Sequence, residues 1–195
     1  MINFPPETTN PTEIISTSNF LNKEEFLKLS KQLKNIPYSE ASVIHKDVEE
    51  FDLSSRSCKL KWVPFTEDFV WIYDKIASII HENNSNYYRF NLQESFERIQ
   101  YTEYNSVTKD HYGWHLDLGA NDATSHRKIS ITIQLSPSNS YEGGILEINK
   151  GGITKVPKEK GLITIFPSYL LHRVTPVTKG IRRSLVLWVG GCPLK

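Results

Sequence analysis

The sequence predicts a mainly β fold, an antiparallel barrel or jelly roll preceded by helices, and three observations carry that reading. From Phe96 onward the apolar period falls to two, in short runs separated by glycine and proline turn signals. Before that point, two stretches repeat apolar residues at helical spacing instead. The chain has 195 residues, 38% hydrophobic and 23% charged, which suits one domain with a buried core and is too apolar for a disordered chain.

The elements follow in order. Residues 1–12 hold three prolines among polar neighbours and predict a flexible N-terminal arm. Ile14 to Thr17 is a short strand. Asn22 with Glu25 three positions on opens a helix in capping-box style, and Phe26, Leu29, Leu33 and Ile36 carry its apolar stripe as far as Pro37. Ser57 to Val63 alternates loosely and reads as an edge strand whose lysines blunt further pairing. In the second helix Thr66 caps, Glu67 and Asp68 suit the positive end of the dipole, Phe69, Ile72, Tyr73, Ile76 and Ile80 form the stripe, and Asn83-Asn84 stops it. The strands are then Phe96–Tyr104, Ile129–Leu135, Ile145–Asn149, Gly161–Phe166 and Arg182–Val189. Beyond the arm, this makes a single domain over 13–195, with helical support at 13–95 and a β core at 96–191.

Composition narrows the function. A net charge of +1 gives no overall drive toward nucleic acid or anionic membranes. No apolar run approaches the length of a membrane span, and the first residues lack a basic and apolar leader, so a cytoplasmic location is expected. Cys58 and Cys192 share no motif spacing and read as reduced thiols. A domain of this size is expected to be a monomer or a homodimer.

The informative segment is His111-Tyr112-Gly113-Trp114-His115-Leu116-Asp117. In an extended chain residues two apart share a face, so His115 and Asp117 point together. An imidazole and a carboxylate offer two ligands to a divalent metal, and a histidine from a later strand completes a two-His-one-carboxylate triad with open positions. His172, just beyond the run that ends at Pro167, is the best candidate. In the last strand Arg182, Ser184, Val186 and Trp188 share one face, which sets an arginine among apolar neighbours. Such a guanidinium calls for a bound carboxylate. In Ile129–Leu135 the odd positions form an apolar face, while Ser130, Thr132 and Gln134 turn the other way and leave a polar interior with room for a small acid.

In this order and spacing the segments Tyr104…Tyr112-Gly113-Trp114-His115-Leu116-Asp117, Arg127 to Ser136, Tyr141-Glu142-Gly143-Gly144-Ile145-Leu146, Phe166-Pro167-Ser168…His172-Arg173-Val174 and Gly180-Ile181-Arg182-Arg183-Ser184 resemble the Fe(II)- and 2-oxoglutarate-dependent oxygenases. The likeness is to the prolyl 4-hydroxylase-like group that includes the PKHD-type hydroxylases, and it spans about residues 96–191.

The resemblance implies a double-stranded β-helix (jelly roll) with the N-terminal helices packed outside it. It implies that His115, Asp117 and His172 ligate iron and that Arg182 binds the far carboxylate of 2-oxoglutarate. It further assigns Tyr104 a hydrogen bond to that cosubstrate, and Gln134 and Trp188 places in its pocket. Fe(II), 2-oxoglutarate and O2 are the implied cofactors, with ascorbate as a reductant. The implied reaction hydroxylates an unactivated C–H bond and releases succinate and CO2. A prolyl residue of a peptide or protein is the leading substrate and a free amino acid or other small metabolite the alternative. The loops at 119–126 and 136–141 are candidate rims of the mouth.

Two competing readings stand beside it. His111 and His115 are four apart, but Gly113 between them and Tyr112 where a glutamate is needed argue against a helical zinc peptidase site. A jelly-roll module that binds metal or a small acid without turnover is separated from an enzyme by assay alone.

Overall fold

In the computed structural model, which describes residue 10 and residues 12–40, 43–45, 48–50 and 55–192, the chain opens with β1 (Ile15–Thr17) and α1 (Lys23–Leu33). Short strands follow: β2 (Ser39–Glu40), β3 (Val43–His45), β4 (Val48–Glu50), β5 (Arg56–Ser57) and β6 (Lys59–Trp62). After α2 (Glu67–Asn83) and a π-helical turn at Asn84–Tyr88 come β7 (Leu92–Phe96), β8 (Gln100–Asn105), β9 (His111–His115), β10 (Arg127–Gln134) and β11 (Tyr141–Gly143). The last five are β12 (Leu146–Asn149), β13 (Ile153–Lys155), β14 (Ile163–Pro167), β15 (Leu171–Val174) and the long β16 (Val177–Gly191). The arm expected at 1–12 lies, apart from Asn10 and Thr12, outside the described residues.

Local chemistry explains the ends of α1. Asn22 accepts the Glu25 backbone N–H at 2.9 Å while the Glu25 carboxylate accepts that of Asn22 at 2.7 Å, a reciprocal cap. The second helix starts differently from the expectation. Thr66 is extended but its side chain makes no capping bond, leaving Glu67 and Asp68 to face the orphan N–H groups electrostatically. The α-helix does end at Asn83, as expected, with Asn84 as its C-cap; a π-turn then runs on until Arg89 adopts φ 54°, where the Asn84 side chain brackets both the backbone N–H and the C=O of Phe90.

Among the described residues the strands form two main antiparallel sheets, and β3 and β4 pair in a separate two-stranded one. The larger runs β1-β14-β10-β16-β8-β6-β2, with β7 and β11 also on β16; the smaller runs β13-β12-β15-β9-β5. The predicted edge strand at Ser57–Val63 is two elements in different sheets, β5 on β9 and β6 on β8. Its lysines do not blunt an edge, since Lys61 is buried and donates to the Leu33 carbonyl at the end of α1 at 2.8 Å.

Period-two alternation sorts the larger sheet. Ile129, Ile131, Ile133, Leu185, Leu187 and Val189 pack with Leu29 and Leu33 of α1 and Phe69, Ile72 and Ile76 of α2 in one apolar cluster. Each such side chain, fully buried, is worth about 1.5–3 kcal/mol. The even positions face the smaller sheet, where Tyr104, Leu146, Ile148, Phe166 and Val174 make a second cluster. Function is placed here, because the polar face of the larger sheet is held against β9 and β15. No helix of the described residues is long and apolar enough to cross a membrane.

Candidate active site

The adjacent antiparallel strands β9 and β15 set His115 opposite His172 in register. Asp117 lies just past β9, in a turn fixed from three sides. Its backbone N–H donates to the Ser168 carbonyl at 3.0 Å, the Arg127 guanidinium reaches its carbonyl at 3.4 Å, and Ser130 Oγ donates to its Oδ2 at 2.6 Å. Thus His115 and Asp117 do converge, but by a braced turn and not by a continued strand. Asp117 lies 3.7 Å from His115 Nε2 and 3.3 Å from His172 Nε2, and the three ligand atoms all lie within 4.8 Å of one another.

The tautomers follow from the backbone. His115 Nδ1 is 2.8 Å from the Gly113 carbonyl and His172 Nδ1 is 2.8 Å from that of Leu170. A carbonyl oxygen only accepts, so both Nδ1 atoms carry hydrogen and both Nε2 atoms are turned toward Asp117 as ligand donors. Burial, and then the neighbouring His172, push His115 down to about 3, so it is neutral at pH 7. Burial opposes ionisation of Asp117, yet His172, His115 and Ser130 together hold it well below the usual carboxylate range. Burial also works against a charged His172, but Asp117 overrides it and raises the group. A pocket this rich in attraction for positive charge suits a dication.

The triad opens into a cavity between the sheets of about 470 Å³, mouth included, lined also by Arg56, Tyr104, Tyr112, Arg182 and Trp188. Arg182 is 4% exposed and donates to Ser184 Oγ at 3.0 Å; among the described residues no carboxylate pairs with it. Its register partner Tyr104 places a ring 5.4 Å from the guanidinium, and burial raises the Tyr104 hydroxyl. Gly144 makes room for this arginine, since a Cβ there would sit 3.0 Å from Arg182 Cδ. Trp188 stacks under the Arg127 guanidinium at 4.0 Å, and Arg127 is gripped by both oxygens of Glu97 at 2.6 Å. Gln134 is placed apart from the triad. It lines a smaller adjoining cavity with Arg182 and donates to the Tyr141 hydroxyl at 3.0 Å.

Several residues of the site have roles that the sequence reading does not give them, Ser130 having been placed only on the polar interior face. Ser130 and Ser168 join the ligand turn to β10, their hydroxyls 2.9 Å apart. Arg56 of β5 reaches the cavity because β5 pairs with β9, and Gln100 fixes its Nη2 at 2.6 Å. The rim loop at 119–126 is braced from within, Asn121 Oδ1 accepting from both the N–H and the hydroxyl of Thr124.

Residues 99–190 match the family model of the 2OG-Fe(II) oxygenase superfamily, a span that contains all three triad residues and Arg182. Over this span the chain resembles the 2OG-Fe(II) oxygenases. A PKHD-type hydroxylase of Hyphomonas neptunium is 45% identical over 86 residues, 41% of this chain and 38% of that protein. One from Colwellia psychrerythraea is 41% identical over 81 residues, 40% of this chain and 36% of that one. The chain thus aligns with well under half the length of these curated relatives. Among solved structures, a Pseudomonas putida prolyl-4-hydroxylase matches with TM-score 0.71 at 18% identity, covering 93% of this chain and 94% of that one. A Trichoplax adhaerens prolyl hydroxylase, solved with a peptide fragment of the hypoxia inducible factor, matches with TM-score 0.74 at 16% identity, covering 91% and 83%. These neighbours share the jelly-roll fold.

The site's residues fit the cofactors of that family. Two imidazole nitrogens and a carboxylate oxygen form the donor set preferred by a non-haem iron with open positions. Beside them stand a buried guanidinium lacking a carboxylate and the Trp188 indole N–H, buried without a hydrogen-bond partner. These groups could hold Fe(II) and a dicarboxylate such as 2-oxoglutarate.

Proposed function

We propose that the protein is a 2-oxoglutarate-dependent hydroxylase in which His115, Asp117 and His172 hold Fe(II) and Arg182 binds the distal carboxylate of the cosubstrate. The observation that carries this is the coexistence, in one cavity, of the triad and an arginine with no carboxylate of its own among the described residues. With iron bound, the site supplies coupled oxidation: 2-oxoglutarate, O2 and R–H give succinate, CO2 and R–OH. The chain's own residues bind, orient and exclude water. Ser130 holds the Asp117 carboxylate, the Gly113 and Leu170 carbonyls aim the two imidazoles, and Tyr104 and Trp188 wall the cosubstrate pocket. Gln134 acts at the far end of that pocket through Tyr141. One domain over 13–195 contains the site, its helices supporting the sheet from outside.

A prolyl residue of a peptide or protein is the leading substrate, supported by the likeness to prolyl hydroxylases. A small amino or other acid is the second reading, favoured by the additional buried cation Arg56. The test is succinate release in air with Fe(II) and 2-oxoglutarate, with a panel of proline-containing peptides and free amino acids searched by mass spectrometry for a gain of one oxygen. Absence of succinate with every substrate supports a binding module and sinks the enzyme.

A further inference from the structure

The cavity holds one cation more than the cosubstrate needs. Of the two carboxylates on 2-oxoglutarate, a metal at the triad and Arg182 account for both, which leaves Arg56. This residue is 8% exposed, and among the described residues no carboxylate pairs with it. Gln100 Oε1 holds Nη2 at 2.6 Å and the Cys58 thiol also bonds the guanidinium, whereas Nε is buried with no hydrogen-bond partner among the described residues. Arginine stays charged under all ordinary conditions, so this is a buried cation with unused donors. Isolated buried charge is costly, and a guanidinium offers its remaining N–H groups best to a carboxylate.

The position also bears on chemistry. The Arg56 guanidinium lies over the Tyr112 ring at 4.7 Å, and that ring stacks on the His115 imidazole at 3.5 Å and 14°. An anion held by Arg56 therefore sits one aromatic ring away from a metal ligand, beside the metal and not out at the rim. A backbone carbonyl of a peptide satisfies donors there but leaves the charge unpaired; a free carboxylate does both.

We propose that Arg56 is a substrate anchor that selects a free carboxylate, so the hydroxylated residue is a free amino acid or the C-terminal residue of a peptide. This rests on reading the cavity as a hydroxylation site and names the class of substrate that site takes. Gln100 is a positioning residue that fixes the fork.

The test is calorimetric titration of the protein loaded with Zn(II) and 2-oxoglutarate, which binds without redox turnover. The probes are the free L-amino acids and tetrapeptides ending in each of them, every one as acid and as amide. At least one acid should bind about tenfold to a hundredfold more tightly than its own amide, the scale of one or two charge-assisted hydrogen bonds. In Arg56→Gln that ratio should fall to near one. Equal binding of acid and amide throughout, no binding of any acid, or a ratio that survives in Arg56→Gln overturns the proposal. The wild-type ratio alone decides the matter should the variant fail to fold. Preference for amino acids over tetrapeptides, or the reverse, separates the two sources of carboxylate. An acid preference without succinate in air removes the oxygenase reading and leaves the anchor standing.

Discussion

Replacing Arg182 with methionine should separate ligand binding from folding. The side chain is 4% exposed, and it bonds Ser184 Oγ at 3.0 Å and the Tyr141 hydroxyl, both neutral partners. Losing each such bond costs ~0.5–1.5 kcal/mol. Removing an unpaired buried charge returns a desolvation penalty of several kcal/mol, and methionine fills a similar volume. Ser184 keeps a partner, because its hydroxyl also lies 2.7 Å from Thr102 Oγ1. The variant's melting temperature should therefore equal or exceed that of the wild type. Binding moves the opposite way. A bidentate guanidinium–carboxylate pair forfeits two charge-assisted bonds of ~1.5–3 kcal/mol each, so affinity for 2-oxoglutarate should fall by about 10² to 10⁴. Thermal melts of the metal-free protein and calorimetric titration of the Zn(II)-loaded protein with 2-oxoglutarate, run on the same preparations, give both numbers. Unchanged affinity, or a melting temperature well below the wild type's, refutes the reasoning and makes Arg182 structural.

Other outcomes follow from the same geometry. Ser130→Ala removes the 2.6 Å bond to Asp117 Oδ2 and should weaken metal affinity about 10–100-fold in a chelator competition, with the fold intact by circular dichroism. Gly144→Ala forces a Cβ to within 2.9 Å of Val177 Cγ2 and 3.0 Å of Arg182 Cδ at φ 57°, so the Michaelis constant for 2-oxoglutarate should rise severalfold; an unchanged constant means that Arg182 is not held from this side. Leu187→Ala empties a site that is 1% exposed and should cost ~2–5 kcal/mol in urea unfolding, while the folded fraction keeps its metal affinity. His172→Ala should abolish stoichiometric metal binding, and full retention would move the ligand elsewhere.

Much of the site was legible because its residues recur at short, regular intervals. Arg182 shares an alternating face with Ser184 and Trp188, which local periodicity orients, and His115 and Asp117, two apart, were read as converging although a braced turn and not the strand brings Asp117 round. His172 needed only the expectation that it follows a strand. Arg56 was not legible, because its burial depends on pairing a two-residue strand with β9, a contact between distant parts of the chain. The split of Ser57–Val63 between two sheets has the same origin. Nothing in an alternating run says where the chain crosses from one sheet to the other. The roles of Ser130 and Ser168 come from a meeting of β10 with the turn after β14, and Glu97 bears on the site through Arg127. At Thr66 composition pointed to a cap that side-chain geometry does not make. Gln134 kept its predicted face but lines an adjoining cavity with Arg182 and bonds the Tyr141 hydroxyl, which alternation does not reveal.

The central claim is that His115, Asp117 and His172 hold Fe(II) in the same cavity in which Arg182 receives 2-oxoglutarate. Anaerobic titration of the protein with Fe(II) in the presence of 2-oxoglutarate, followed in the visible range, tests it most directly. The account predicts a charge-transfer absorption that saturates at one iron per chain and is absent from His172→Ala. A wild-type protein that stays colourless, or a variant that develops the same absorption, contradicts it.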